Sequence, residues 1–264
     1  MTTSIPQLVL NFPLNPVCTF ANLVIGEGNR RAAEAVHALL ADSSSEASSP
    51  LVQSATALLL TGEEGTGKTH LLQAAVYQCR ALAGEESAIY LNAVALREQL
   101  HQVVGQEAGE RGSVEQDLTR FLDRHATCRL VAVDELEELA HSPLLQEAVL
   151  FLFNRMRATG GRMLVAGQRL PQLLEGLRPD LRSRLLWGSV VVLDLPGDEM
   201  LGAILAKMVE DRQVRCGPEL LKFLQLRLPR RIPAYAAALD RLDEAGLGLK
   251  RPLTVPLAKE ILAL

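Results

Sequence analysis

The sequence predicts an α/β protein, in which helices cover both faces of a parallel sheet, followed by a small all-helical domain. Short, continuously apolar segments alternate with helical patterns as far as residue 195, which is typical of parallel strands buried on both faces. From Pro196 onward the pattern is helical only. With 264 residues, 48% of them hydrophobic, the chain is long and apolar enough for both parts.

Charge and cysteine content argue against several classes of protein. The formal net charge of -4 disfavours a large basic surface for duplex DNA. The four cysteines are widely spaced, which disfavours a zinc site and favours reduced thiols. Because no Lys or Arg precedes Arg30 and no apolar run is long enough to cross a bilayer, we expect a cytoplasmic protein without a membrane partner.

Ahead of the sheet, the N-terminal residues 1–16 are predicted to form an extended tail, because three prolines disfavour a helix there. Residues 29–41 have the apolar spacing of a helix. The Ser-rich residues 42–50 and the polar residues 105–116 are expected to be surface loops.

Five aliphatic segments, each bounded by polar or turn residues, are predicted to be the strands of the sheet. They lie at 55–62, 87–93, the start of 128–140, 162–167 and 189–195. Helices are expected at 68–83, after a glycine-rich turn, and at 143–160, where Gly160 ends an amphipathic pattern.

The segment GEEGTGKT at 62–69 matches the phosphate-binding pattern G-x-x-x-x-G-K-S/T, between a predicted strand and a predicted helix. Glycines let backbone N–H groups turn toward a phosphate, Lys68 would meet the β and γ oxygens, and Thr69 would hold Mg²⁺. The pattern and its context predict ATP or ADP binding rather than a structural turn. The residues expected to contact the nucleotide are Gly62, Gly65, Thr66, Gly67, Lys68 and Thr69.

The segment LVAVDE places two carboxylates at the end of a predicted strand, which is where open α/β sheets bind ligands. Asp134 is expected to hold Mg²⁺ through water, and Glu135 to polarise an attacking water. The next two acidic residues, Glu137 and Glu138, are expected to be a solvated helix start.

A basic segment, RPDLRSRLLWG at 178–188, lies between two predicted strands and is expected to be a short helix or loop at the rim of the sheet. Phosphoryl transfer needs positive charge at the γ-phosphate, often from an arginine supplied by a partner. Composition alone favours the alternative, a solvated basic helix.

Several segments together resemble the DnaA family of AAA+ proteins, and within it the Hda-like regulators that inactivate the replication initiator. The resemblance spans nearly the whole chain and implies a tail at 1–16, an AAA+ P-loop domain at 17–195 and a helical lid at 196–264. PDLRSRLLWG and LTVPLAKEIL are more specific than the P-loop. The segments are CTFANLVIGEGNRRA, GEEGTGKTHLLQAA, VAVDELEEL, FLFNRM, RPDLRSRLLWG and LTVPLAKEIL.

The resemblance implies roles for further residues. Arg184 matches the arginine finger that acts in trans, and Arg230 matches the sensor 2 arginine of the lid, with Arg231 as the alternative. Gln168 stands where the family commonly has a sensor 1 aspartate. It could still orient the attacking water but carries no charge, so the chain is expected to bind ATP or ADP and to have weak or no intrinsic hydrolysis. Pro233 is expected to interrupt the helix after sensor 2. The residues implied to border the adenine are Phe20, Val24, Ile25 and Gly26.

The tail segment QLVLNF resembles the motif Q-L-x-L-x-L/F, which binds the bacterial sliding clamp of DNA polymerase III. Gln7 would bond in a polar pocket, while Leu8, Leu10 and Phe12 would be apolar anchors. The alternation of these three residues alone favours a β-strand instead.

Taken together, the sequence predicts a nucleotide-bound regulator that docks on the DNA-loaded clamp and stimulates ATP hydrolysis by DnaA, contacting DNA mainly through the clamp. A true initiator is disfavoured because no basic segment for duplex DNA follows the lid. A helicase-loader-like ATPase that binds single-stranded DNA, a DnaA-like ATPase without a duplex-binding domain and a stand-alone motor are the alternatives. The oligomeric state, including a homodimer, stays open.

Overall fold

The computed structural model describes residues 12–41, 56–98, 128–213, 216–249 and 253–264. Within these residues, five strands form one sheet in the order β2-β3-β4-β1-β5, and every pairing is parallel. The predicted α/β class and the five predicted strands are confirmed. The strands are β1 (Ala57–Thr61), β2 (Ala88–Asn92), β3 (Leu130–Asp134), β4 (Arg162–Gly167) and β5 (Ser189–Val192).

Helices alternate with the strands and then continue alone. A further helical stretch at 93–98 runs up to the limit of the described residues. The three helices predicted within the sheet region are confirmed, and the basic segment at 178–188 contains a short helix. The helices are α1 (Arg30–Leu40), α2 (Lys68–Ala83), α3 (Pro143–Thr159), α4 (Pro179–Leu185), α5 (Asp198–Asp211), α6 (Pro218–Arg227), α7 (Ile232–Leu249) and α8 (Val255–Leu262).

The two faces of the sheet each have a buried aliphatic layer, because successive side chains of a strand point to opposite faces. On one face, strand residues such as Leu59 and Val131 pack against α3 and α4. On the other, residues such as Leu58 and Ala132 pack against α1 and α2. Since both faces are covered, the central strands have no polar alternation, which is why they occur in the sequence as continuous apolar runs.

The C-terminal helices form a separate apolar cluster around residues such as Leu205, Leu224 and Leu242, which confirms the predicted all-helical region. The expectation that Pro233 interrupts a helix is wrong. Helix α7 begins at Ile232, so Pro233 lies in its first turn. A backbone N–H there has no partner within the helix, and proline is tolerated for that reason.

Some predicted features lie outside the described residues, namely Gln7, Leu8, Leu10 and the two surface loops at 42–50 and 105–116. In the part of the chain that the structure covers, no helix combines the length and apolarity that crossing a membrane requires.

Candidate functional site

The carboxyl ends of β3, β4 and β1 lie side by side, because these strands are neighbours in a parallel sheet. The segments that follow them carry the predicted acidic pair, Gln168 and the glycine-rich loop. Together with residues of α5 and the start of α7, they line a cavity of about 380 Å³. This is the size of a small-molecule pocket, at the edge where such sheets bind ligands.

The glycine-rich loop has the conformation that its sequence requires. Gly65 and Gly67 have φ angles of 84° and 96°, in the left-handed region that favours glycine. Helix α2 begins at Lys68, directly after the loop. Its first backbone N–H groups have no carbonyl partner within the helix, so the loop and helix together provide a site for an anion.

Lys68 reaches back over this loop and is nearly buried. Its Nζ atom donates to the carbonyl oxygens of Gly62 and Glu63 at 2.6 and 2.7 Å. Burial lowers the pKa of Lys68, and nearby carboxylates, Asp134 first, oppose that shift. The ammonium group is therefore held at the loop, next to the position that an anion would take.

Asp134 is 2% exposed and has several hydrogen-bond donors. The Tyr90 hydroxyl donates to its Oδ2 atom at 2.8 Å, and the backbone N–H of Glu135 donates to Oδ1 at 3.0 Å. The Thr69 hydroxyl is also a partner. Burial nevertheless raises the pKa of Asp134. The Thr69 hydroxyl and the Asp134 carboxylate, which meet beside the glycine-rich loop, have the oxygen donors that Mg²⁺ prefers.

Tyr90 was not among the predicted site residues. It lies in the middle of the apolar strand β2 and is buried. A buried tyrosine hydroxyl usually has a hydrogen-bond partner. A tyrosine in an otherwise apolar strand therefore indicates a polar partner nearby, and this was the one signal in the sequence for its role.

Glu135 lines the cavity and has a left-handed backbone, with φ 60° and ψ 54°, which is unfavourable for a glutamate. Its carboxylate interacts with the Asn92 side chain and the Val94 backbone N–H. Burial, together with the charge of Asp134, raises the pKa of Glu135. Among the described residues, its buried Oε2 atom has no hydrogen-bond partner.

The expectation that Glu137 and Glu138 are a solvated helix start is correct only in part: both lie in the first turn of a short 3-10 helix, Leu136–His141, but both side chains are half-buried. Glu137 lines the cavity, and its Oε1 atom accepts hydrogen bonds from the backbone N–H groups of Gln168 and Arg169. Glu138 forms an ion pair with Arg97. Both contacts join segments that are far apart in sequence, so the spacing of charges along the chain could not predict either contact.

The four residues predicted to border the adenine have different surroundings in the structure. Val24 lines the cavity. Ile25 does not line it, is 48% exposed and borders a different cavity. The Phe20 ring lies against the His37 ring, with centroids 4.2 Å apart. A Cβ atom at Gly26 would collide with Met200 of α5, itself a cavity residue.

The two lid arginines, Arg230 and Arg231, lie beside the main cavity rather than in it. Both border an adjacent cavity that shares residues of the glycine-rich loop. Arg230 is paired with Asp198 at 3.0 Å, and both side chains are exposed. Ile232 and Pro233 line the main cavity instead. The nucleotide contact of Arg230 stays a prediction.

Lys207 lines the main cavity from the lid and was not predicted from the sequence. It is paired with Asp211 at 2.9 Å, one helical turn further along α5.

The three arginines of the basic segment, one at the N-cap of α4 and two within it, have different surroundings. Arg178 pairs with Asp180 and Glu147. Arg182 donates to the carbonyls of two buried residues of the preceding loop, at 3.0 and 3.1 Å. Arg184 lies over the ring of Trp187, 5.9 Å from its centroid, and none of the three lines the main cavity.

Phe12 is the one residue of the tail motif that the structure describes. Its backbone N–H donates to the Tyr90 carbonyl at 3.4 Å, and its side chain packs against both core clusters. Phe12 therefore lies on the body of the protein in this conformation.

Comparison with known families matches residues 14–192 to the bacterial DnaA ATPase domain and residues 198–262 to the Hda lid domain. An uncharacterized protein of Haemophilus influenzae is 32% identical over 227 residues, covering 86% of this chain and 89% of that protein. The chromosomal replication initiator DnaA of Herpetosiphon aurantiacus is 28% identical over 250 residues, covering 95% of this chain. The chain spans about half the length of that initiator, 49%.

Among solved structures, domain III of the Thermotoga maritima replication initiation protein DnaA superposes with a TM-score of 0.79 at 22% identity. It covers 96% of this chain and 98% of that one. The AMPPCP-bound DnaA of Aquifex aeolicus superposes with a TM-score of 0.67 at 24% identity. It covers 89% of this chain and 67% of that one. At these identities the two structures establish the fold.

Proposed function

The chain belongs to the DnaA family of AAA+ proteins, and from this premise we propose that it binds ADP or ATP with Mg²⁺ in the cavity beneath its lid. The observation that carries the proposal is Lys68, whose ammonium group is held over a glycine-rich loop at the start of α2. Thr69 and Asp134 would hold the metal ion, which neutralises phosphate charge when bound. Gln168 and Glu135 would lie beside the phosphates, and Val24 beside the base.

We further propose that the protein regulates replication initiation by stimulating ATP hydrolysis on DnaA. Arg184 is absent from the lining of the chain's own cavity and is half-buried on the short helix α4, which suits a finger that enters a partner's site. Its guanidinium group lies over the ring of Trp187, 5.9 Å from the ring centroid. Hydrolysis would convert active DnaA–ATP to DnaA–ADP and so prevent re-initiation.

The tail motif supplies the third part of the proposal, docking on the DNA-loaded sliding clamp. Its members Gln7, Leu8, Leu10 and Phe12 match the clamp-binding pattern. Phe12 packs against the body through apolar contacts, so it would have to leave these contacts to enter a groove on the clamp.

The test uses labelled ATP that is pre-bound to the cognate DnaA, to which this protein and the DNA-loaded clamp are added. We expect conversion to ADP that requires the clamp and is lost in Arg184→Ala. Arg157→Ala is the matched control, because Arg157 lies over the same Trp187 ring at 5.1 Å. Full conversion with Arg184→Ala would contradict the finger assignment, and unchanged clamp binding by a Gln7→Ala, Leu10→Ala double variant would contradict the tail assignment.

A second candidate function is binding of single-stranded DNA, as in a helicase loader. It is favoured by two exposed aromatic rings that each have an arginine over them: Trp187, 58% exposed, and Phe151, 36% exposed. Exposed aromatics with arginines are the usual means of stacking unpaired bases. Affinity for an oligonucleotide at physiological salt, lost in Trp187→Ala, would favour this candidate.

A further inference from the structure

Glu137 connects the segment after β3 to the segment after β4. One oxygen of its carboxylate, Oε1, accepts from two consecutive backbone N–H groups, those of Gln168 and Arg169, the latter at 2.9 Å. Two successive amides directed at one anionic oxygen form a charge-assisted and geometrically restrictive contact. The backbone at Gln168 is therefore fixed by a side chain more than thirty residues earlier in the sequence.

The neighbouring Gly167 leaves room for this carboxylate. A Cβ atom at position 167 would lie 2.9 Å from Oε1 of Glu137 and 3.0 Å from the Cβ atom of Leu136. The Gly167 carbonyl also accepts from the backbone N–H of Gly62, the first glycine of the phosphate loop, at 3.3 Å. A continuous set of contacts thus runs from the phosphate loop through Gly167 and Gln168 to Glu137.

The side chains of Glu137 and Gln168 both line the main cavity. Gln168 itself is exposed, and its side chain forms no hydrogen bond with the described residues, so its direction depends on its backbone. We propose that Glu137 is a positioning residue, which holds the backbone at Gln168 so that the Gln168 side chain faces the phosphates. The inference rests on the proposed nucleotide binding, but not on DnaA or the clamp as partners.

The test compares Glu137→Ala with Glu137→Gln in the full chain, using the dissociation rates of fluorescent ADP and ATP analogues. Because the amide oxygen of glutamine still accepts from both N–H groups, Glu137→Gln should stay within about threefold of wild type, whereas Glu137→Ala should release nucleotide about tenfold faster. Glu138→Gln is the matched control, since Glu138 pairs with Arg97 in the same segment. It should release nucleotide at the wild-type rate.

Coupling to Gln168 is measured with a double-mutant cycle. If Glu137 acts through Gln168, then Gln168→Ala should have little further effect in the Glu137→Ala background. Additive effects of the two substitutions, or equal rates for Glu137→Ala and Glu137→Gln, would overturn the proposal. Release that is changed equally in both variants would mean that the charge of Glu137, which acts on Lys68, is the property that matters, and wild-type rates in both would mean that neither property does.

A second readout needs no nucleotide. Amide hydrogen exchange at Gln168 and Arg169 should be about tenfold faster in Glu137→Ala than in wild type or Glu137→Gln, because only the alanine variant lacks the acceptor. Unchanged exchange would overturn the positioning role. Failure of the wild-type protein to bind either nucleotide would instead contradict the proposed function, and the exchange rates would still decide whether Glu137 holds this backbone.

Discussion

The Tyr90 hydroxyl donates a hydrogen bond to the Oδ2 atom of Asp134 at 2.8 Å, inside the buried end of the sheet. The two side chains meet because β2 and β3 pair in parallel. Asn92 lies opposite Asp134, and Tyr90 lies two residues before Asn92 on the same face of the sheet. The orientation of the proposed metal ligand is thus set by the neighbouring strand as well as by its own motif.

Substitution of Tyr90 by phenylalanine should weaken Mg²⁺-dependent nucleotide binding while leaving the fold intact. Losing one hydrogen bond to a buried carboxylate should cost about 1–2 kcal/mol of stability and reduce Mg–ADP affinity roughly three- to tenfold. Titration calorimetry with and without Mg²⁺ measures this. Tyr77→Phe is the control, because its hydroxyl contacts the Leu14 carbonyl instead. Equal affinities for the two variants would contradict the prediction.

Asp134→Asn should stabilise the nucleotide-free protein at neutral pH. Burial raises the pKa of Asp134 in the folded state, so its contribution to stability is present below the unfolded pKa and lost as pH rises through the folded pKa. At pH 7 we expect the melting temperature to rise by about 2–4 °C. The difference should shrink as pH falls below about 4, because the aspartate then becomes protonated in the unfolded state as well as in the folded state. A lower melting temperature at pH 7 would contradict this.

Lys68→Ala should abolish most nucleotide binding, because its ammonium group is the cation at the phosphate loop. A loss of about 100-fold in affinity for a fluorescent ADP analogue is expected from charge-assisted contacts to phosphate. Lys207→Ala is the matched control, since that lysine lines the same cavity from the lid and already has Asp211 as a partner. An equal loss in the two variants would show that overall positive charge, rather than the loop, binds the nucleotide.

Arg182→Ala and Arg184→Ala should differ in stability although the two residues share one short helix. Arg182 donates to the carbonyls of Leu174 and Leu177, and removing it leaves these buried acceptors unpaired, at a cost of about 1–3 kcal/mol. Arg184 contacts Trp187 and the Asp180 carbonyl at 3.3 Å near the surface, so its loss should cost about 0.5 kcal/mol or less. Urea unfolding of both variants measures the difference, and the reverse order would refute it.

Much of the fold could be predicted because its signals are local. The apolar strands, the helix from Lys68 to Ala83 and the glycine-rich loop between strand and helix all lie where their patterns place them. The adjacency of the loop to Asp134 could also be inferred, since parallel strands bring their carboxyl ends to one edge. These predictions needed only the spacing of residue types along the chain.

Other expectations failed, or stay predictions, where a local pattern does not settle the answer. Pro233 is expected to interrupt a helix, but the helix begins only one residue before it, so the proline lies in the first turn and interrupts nothing. The path of the chain places Ile25 and Arg230 beside cavities next to the main one, and their nucleotide contacts stay predictions. No local pattern specifies such paths.

The sequence by itself determined the succession of strands and helices along the chain, the glycine-rich loop and the family, since these depend on periodicity and short motifs. Only the tertiary structure decided that Tyr90 holds Asp134 and that Glu137 holds the backbone at Gln168. Each of these contacts depends on the register between separate strands and on the exact end of each strand. Buried polar groups must find partners in that packed arrangement, and the partner need not be near in sequence.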